Sequence, residues 1–268
     1  MKTALVLGPG ALCGAYGAGM ANILGRHIHF DKIYGCSVGV FAATFLATKQ
    51  FNIMLDVWRN HVHGKLLINF INPFKGRNVL DLEYLNGLFK KDEFLLDLGS
   101  VSSQNGRLVH VLTHCLTGQP EYFCPTSDSI FESMTASSAV PYVHPAVKIN
   151  DNYSHDGALS DPYPLKRAID DGSDVVIVVS NFSLGYNPMS ILKFSRLASL
   201  AIKKDREGME FIEASINKGS KIILLRPSRQ ILKSPIDTNR IRINQTIDMG
   251  IRDAEIFLKN YNPALAGF

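Results

Sequence analysis

Gly35-Cys36-Ser37-Val38-Gly39 places a serine between two glycines, after a short apolar strand candidate, Lys32-Ile33-Tyr34, and before an apolar helix candidate that begins at Val40. Such a turn pushes the serine hydroxyl out of the backbone, where a substrate can reach it. Glycines flank it because a side chain at either position would collide with neighbouring backbone. A helix starting just behind the serine adds free N–H groups and the positive end of a dipole, both of which favour developing negative charge. This one run restricts the chain to folds with a sharp strand-to-helix turn at the end of a sheet.

The rest of the sequence alternates in the same way. Ala4–Leu7 reads as a buried strand and Gly14–Leu24 as a helix of small residues, and the helix after Ser37 is expected to run to His61. Arg107–Leu116 and Glu121–Cys124 read as paired strands across the Thr117-Gly118-Gln119-Pro120 turn, and Ile130–Ala139 as a short helix. The unbroken apolar runs Asp174–Ser180 and Lys221–Leu225 suit buried parallel strands. Met189–Ile216 and Asp237–Tyr261 read as helices. Leu66–Phe74 is apolar and aromatic, and reads equally as core or as an entrance for an acyl chain. With 268 residues and no linker or repeat, the expected arrangement is one domain over 1–268. Its fold class is α/β, a three-layer αβα sandwich around a mixed, mostly parallel sheet.

Composition narrows the chemistry. The four cysteines, Cys13, Cys36, Cys115 and Cys124, have no metal-ligand spacing and read as free thiols. His61-x-His63 and His110-x-x-x-His114 lack a third ligand, so no metal or organic cofactor is expected. Between Lys193 and Lys259 there are 14 basic and 8 acidic residues. We read this surplus as a solvated helix face rather than a nucleic-acid site. No apolar stretch is long enough to span a bilayer. Met1-Lys2 followed by Thr3–Leu7 has the beginnings of a signal peptide, but Gly8-Pro9-Gly10 cuts the run short. A start at Met1 and a cytoplasmic location, with peripheral membrane contact allowed, are the expectation.

A serine needs a base. The Ser…Asp…His order of α/β-hydrolases fails here, because no histidine follows His155. The alternative is Asp156, in Ser154-His155-Asp156-Gly157-Ala158, where an Asp-Gly turn lets the carboxylate stand clear. A carboxylate serves as base when its surroundings raise its proton affinity. Gly8-Pro9-Gly10-Ala11-Leu12-Cys13-Gly14 follows the first strand and can cradle an anion with successive N–H groups. Its spacing is not the Gly-x-Gly-x-x-Gly of dinucleotide sites, and the second strand ends in Cys36-Ser37 rather than the acid that would hold a ribose.

Together with Ala136-Ser137-Ser138-Ala139-Val140-Pro141, these segments resemble the patatin-like phospholipases, in the right order from residue 4 to about residue 180. The Asp156-Gly157-Ala158-Leu159-Ser160-Asp161-Pro162 stretch looks like that of the compact bacterial members. The resemblance implies a lipid acylhydrolase with Ser37 as nucleophile and Asp156 as base, supported by Gly35, Gly39 and Gly157. Gly10, Ala11, Leu12 and Val38 would bind the oxyanion, and the substrate would be a lipid or another acyl ester. One departure stands out. Where family loops read Gly-Gly-Gly-x-Arg-Gly, this chain has Pro9 at the first glycine, Ala11 at the third and Cys13 at the arginine. A catalytically weak acyl-binding protein is therefore one alternative, and a non-lipid esterase, thioesterase or acyltransferase is another.

Overall fold

The computed structural model describes residues 1–186, 196–217 and 221–261. The part of the expected 189–216 helix before Arg196 lies outside the described residues. Eight strands form one mixed sheet: β1 (Thr3–Leu7), β2 (Lys32–Cys36), β3 (Leu108–His114), β4 (Pro120–Phe123), β5 (Val147–Ile149), β6 (Asn152–Asp156), β7 (Val175–Val179) and β8 (Ile222–Leu225). The order is β5-β6-β3-β2-β1-β7-β8, with β4 also paired to β3. β8, β7, β1, β2 and β3 run parallel, while β4, β5 and β6 join antiparallel.

Alternation along the central strands builds the layers. Leu5, Leu7, Ile33, Ile177 and Val179 face one side, against α1 (Ala15–His27), α2 (Gly39–Ala47), α3 (Phe51–His61) and α9 (Arg240–Asn260). Ala4, Val6, Tyr34, Val176 and Val178 face the other, against Leu165 and Ala168 of α7 (Leu165–Asp170) and Ile212 of α8 (Arg196–Asn217). Every residue of β1 and β7 is buried, as a parallel strand covered on both faces requires. The expected three-layer α/β fold is what forms.

Two local expectations change. The helix after Ser37 is not continuous to His61. It stops at Ala47, where Lys49 takes φ 60°, and the N–H groups of Lys49 and Gln50 turn back to the carbonyls of Leu46 and Phe45. That pair of bonds closes a helix in the left-handed manner usual for glycine. The second change concerns Asp156. It is not in a turn but ends β6, the second arm of a β5–β6 hairpin whose three- and five-residue strands carry little apolar pattern. The intervening α4 (Leu82–Leu88) is capped by Asp81, which accepts from the Tyr84 N–H at 2.9 Å. It is followed by α5 (Leu98–Ser102) and by α6 (Ile130–Ser138), which packs against β3, β5 and β6.

Candidate active site

The sheet itself explains why Ser37 and Asp156 meet. β4 pairs with His110–Thr113 of β3, overlapping the β2 partners (Leu108–Val111) and the β6 partners (Leu112–His114). A strand has only two edges, so β2 and β6 must share the edge opposite β4, one after the other. Cys36 lies opposite Val111 and Asp156 opposite Leu112. Where β2 stops and turns away at Ser37, β6 arrives at Asp156. The Ser37 hydroxyl donates to Asp156 Oδ2 at 2.8 Å, across 119 residues of sequence.

The serine turn is held against its local preference. Ser37 has φ 54°, a region that strains a residue with a side chain. Its N–H donates to Ser137 Oγ at 3.0 Å, and that hydroxyl donates on to the Val111 carbonyl at 2.7 Å. α6 thus anchors the serine turn to β3. The flanking glycines are required by contact. A Cβ on Gly39 would lie 2.2 Å from the Leu7 carbonyl oxygen, and one on Gly35 would lie 2.6 Å from the Val40 Cα. Gly157 has the same constraint against the Val111 carbonyl.

Asp156 is 3% exposed. Burial pushes its carboxyl up from 3.8 to about 6, against the lowering pull of the Ala158 N–H and the Ser37 hydroxyl. The Ala158 bond, at 2.9 Å to Oδ1, leaves Oδ2 to face the serine. Cys36, next to the nucleophile candidate, is fully buried, and burial holds its thiol well above its ordinary range, which makes it inert. His155 turns its Nδ1 to the Ala139 carbonyl. His110 is buried between Thr44 and Ser133, at 3.1 and 2.9 Å. Among the described residues no His, Cys, Asp and Glu cluster could hold a metal ion.

The glycine-rich loop lies beside Ser37, and Ala11, Leu12, Ser37 and Val38 line one cavity together. Leu12 differs from expectation: its N–H donates to the Pro235 carbonyl at 2.9 Å and is not free for an oxyanion. The Ala11 and Val38 N–H groups have no acceptor among the described residues. Ala11 has φ 47°, and Gly10 before it φ 156°. Asp161 accepts from the Tyr122 hydroxyl at 2.7 Å.

Two side chains matter here to which the sequence analysis gave no role: Asn181, outside every motif, and Ser138, inside the Ala136–Pro141 segment. Asn181, just past β7 and 2% exposed, ties down the loop from behind. Its Nδ2 donates to the carbonyls of Gly8 and Pro9 at 2.9 and 3.0 Å, and its Oδ1 accepts from the Gly17 N–H at 2.9 Å. Ser138, 5% exposed, lines the cavity with a hydroxyl that has no partner among the described residues. The nearest sequence signal for Asn181 was its place two residues after an unbroken apolar strand. Cys13, in the position of the family arginine, accepts from Gln230 Nε2 at 3.2 Å, and burial pushes its thiol up to about 12.

From Ser37 the cavity runs between α2, α3 and α4. Phe41, Phe45, Met54, Trp58, Leu85 and Phe89 are among its walls, and no charged side chain lines it. A hydrocarbon chain can enter such a channel without leaving an unpaired charge behind.

A family model for patatin-like phospholipase matches residues 5–169, and the chain belongs to that family. Lipid acyl hydrolysis is the general chemistry that this membership supports. The sequence is similar to the "Uncharacterized protein YjjU" of Escherichia coli (strain K12), 23% identical over 186 residues that make up 66% of this chain and 51% of the relative. The chain thus spans about half the length of that curated relative. Among solved structures, VipD from Legionella pneumophila is 12% identical at a TM-score of 0.49, covering 97% of this chain and 67% of that one. No helix among the described residues is long and apolar enough to cross a membrane.

Proposed function

We propose that the protein is a serine acylhydrolase that cleaves acyl esters of lipids through Ser37 and Asp156. The observation that carries this reading is the 2.8 Å bond to a buried carboxylate from a serine hydroxyl that lines an uncharged, apolar cavity.

In this reading Ser37 Oγ attacks the ester carbonyl carbon as Asp156 Oδ2 takes its proton. Negative charge collects on the former carbonyl oxygen, between the N–H groups of Ala11 and Val38. One such donor is worth about 3 kcal/mol of transition-state stabilisation. Gly10 contributes by letting the backbone turn there, and Leu12 only by packing. The neutral Asp156 then protonates the leaving alcohol, and the acyl group stays on Ser37 with its chain in the cavity. Water repeats the cycle, giving up its proton to Asp156 as it attacks. The raised carboxyl suits both halves of this exchange, since a base near neutrality both accepts and returns a proton. The unpartnered Ser138 hydroxyl is placed to bind an ester oxygen.

The alternative of a weak, acyl-binding protein has one observation in its favour: Pro9 has no N–H and that of Leu12 is engaged. A fluorophosphonate probe separates the two. The wild-type chain is expected to label and Ser37→Ala to remain unlabelled, with hydrolysis of p-nitrophenyl esters falling about 10³-fold or more. Failure of the wild type to label would leave the acyl-binding reading standing. Comparable rates on short-chain esters, thioesters and phospholipid would remove the lipid preference.

A further inference from the structure

Between α3 and α4 the chain leaves the body as a hairpin. Ile68 bridges Leu80 in antiparallel fashion, the Asn69 N–H donates to the Val79 carbonyl at 2.9 Å, and that of Asp81 to Leu67 at 2.9 Å. Its base belongs to the cavity: Leu67, Ile68 and Leu80 line the wall that leads to Ser37. Its tip does the opposite. Phe74 is 90% exposed, Phe70 64% and Ile71 49%.

This tip is framed by polar bonds rather than left loose. Asn72, itself buried, donates to the Asn78 carbonyl at 3.0 Å, and its own carbonyl accepts from the Arg77 N–H at 3.1 Å. The Arg77 guanidinium pairs with buried Asp81, which also caps α4. The turn is thus held by its own hydrogen bonds, while three large apolar side chains are half or more exposed at its tip. Along the hairpin the exposed charge is positive, with one carboxylate, Glu83, at its base, accepting from the Asn78 amide at 3.4 Å. No Asp or Glu occurs from 57 to 80, and Lys65 and Lys75 are exposed and form no ion pair among the described residues.

We propose that this hairpin is the element by which the protein docks on an anionic lipid bilayer, with Phe70, Ile71 and Phe74 entering the interface and Lys65 and Lys75 meeting the headgroups. Exposed aromatic side chains beside lysines match the two halves of such a surface, apolar below and negative above. The position of the hairpin gives docking a purpose. The strand pair that carries the tip also forms the cavity wall, so a chain drawn from the bilayer meets Leu67 and Ile68 on its way to Ser37. Docking itself stands without catalysis; delivery to Ser37 rests on the acylhydrolase reading above.

The test separates the two by using the full-length Ser37→Ala chain, which binds without turning over. It is sedimented with vesicles of phosphatidylcholine alone and of phosphatidylcholine with phosphatidylglycerol. Binding is expected on the anionic vesicles and weaker in high salt. Phe70→Ala with Phe74→Ala is expected to lower partitioning about tenfold or more, as loss of two buried aromatic anchors requires. Lys65→Glu with Lys75→Glu is expected to erase the preference for anionic vesicles. Phe74 is nearly free of contacts, so a thermal melt matching that of the parent shows that the fold is retained. Undiminished binding by the double phenylalanine variant overturns the proposal. So does a dimer in free solution that Phe74→Glu dissociates, since the patch would then face a second copy. Hydrolysis of soluble esters by the wild type can survive either result, which keeps failure of docking distinct from failure of the catalytic reading.

Discussion

Two strand-to-helix turns stand side by side at the active end of the sheet, one after β1 and one after β2. Each holds a residue other than glycine in the left-handed region, Ala11 at φ 47° and Ser37 at φ 54°. They are held there in different ways. The Ser37 turn is fixed by its own glycines and by Ser137 and Asp156, all within recognisable short motifs. The Ala11 loop is fixed from the last third of the chain: Asn181 grips it from β7, Pro235 takes the Leu12 N–H, and Gln230 holds Cys13. The proposed nucleophile is held locally and the proposed anion cradle remotely. On that reading the family match, which ends at residue 169, leaves out contacts that shape the loop.

The largest effects belong to the locally encoded turn. Asp156→Asn removes the proposed base, and kcat is expected to fall about 10³-fold or more. In the wild type, kcat/KM is expected to rise as pH passes about 6, where the carboxyl loses its proton, and to level off above. The same substitution stabilises the fold. A carboxyl raised from 3.8 to about 6 favours the folded state only while protonated, so that contribution is lost as pH rises through 6. The interval corresponds to ~3 kcal/mol at neutral pH. Melts of Asp156→Asn should exceed wild type at pH 7.5, with the gap closing between pH 6 and 3.8. His110 works in the other direction: burial pushes it down to about 3, so both proteins lose stability as pH falls below 6.5. Because His110 is common to both, the gap between them still reads Asp156 alone. Equal melts at pH 7.5 would mean the carboxyl is not desolvated.

Asn181→Ala probes the remote side. It leaves the Gly8 and Pro9 carbonyls and the Gly17 N–H unpaired in the interior, a loss of about 3 kcal/mol of stability. It also frees the loop to shift, and displacement of an oxyanion donor by an ångström is expected to lower kcat about 10²-fold with little change in KM. Asn181→Asp keeps the acceptor for Gly17 but presents negative charge to two carbonyls. Its activity should fall further as pH rises, whereas that of Asn181→Ala should follow the wild-type profile. An Asn181→Ala enzyme that is merely less stable, at full kcat below its melt, would show that the loop holds itself.

This division decides what could be read from sequence. A serine turn, an Asp-Gly step and unbroken apolar runs are local patterns, so they pointed to Ser37, Asp156 and the central strands, and the structure brings the two side chains together. The β5–β6 hairpin stayed hidden: Val147–Ile149 and Asn152–Asp156 are short and mostly polar, and their pairing comes from the vacant edge of β3 beyond Cys36. The break at Lys49 was hidden too, since a lysine occupies the position where glycine ordinarily marks a helix end. Asn181 and Pro235 act over 164 or more residues for Asn181–Gly17 and farther for Pro235–Leu12. No window along the sequence contains both partners of such a contact. The departure at Cys13 was visible, but not its consequence, a thiol accepting from Gln230 where the family places a cation.

The smallest effect tests the comparison most directly. Ala11 is strained by about 1–2 kcal/mol in its left-handed conformation, and glycine there would relieve this. Glycine also gives the unfolded chain more freedom, which returns about 0.4–1 kcal/mol. Ala11 is exposed, so removing its methyl leaves no buried cavity. Ala11→Gly is thus expected to stabilise by about 0.5–1 kcal/mol, seen as a rise of ~1–3 °C in Tm. If Asn181 and Pro235 set the loop, its N–H stays where it was and kcat remains within about twofold of wild type. A tenfold fall in kcat alongside the higher Tm would show that the stiffness of alanine, and not the remote ties, keeps the cradle in place.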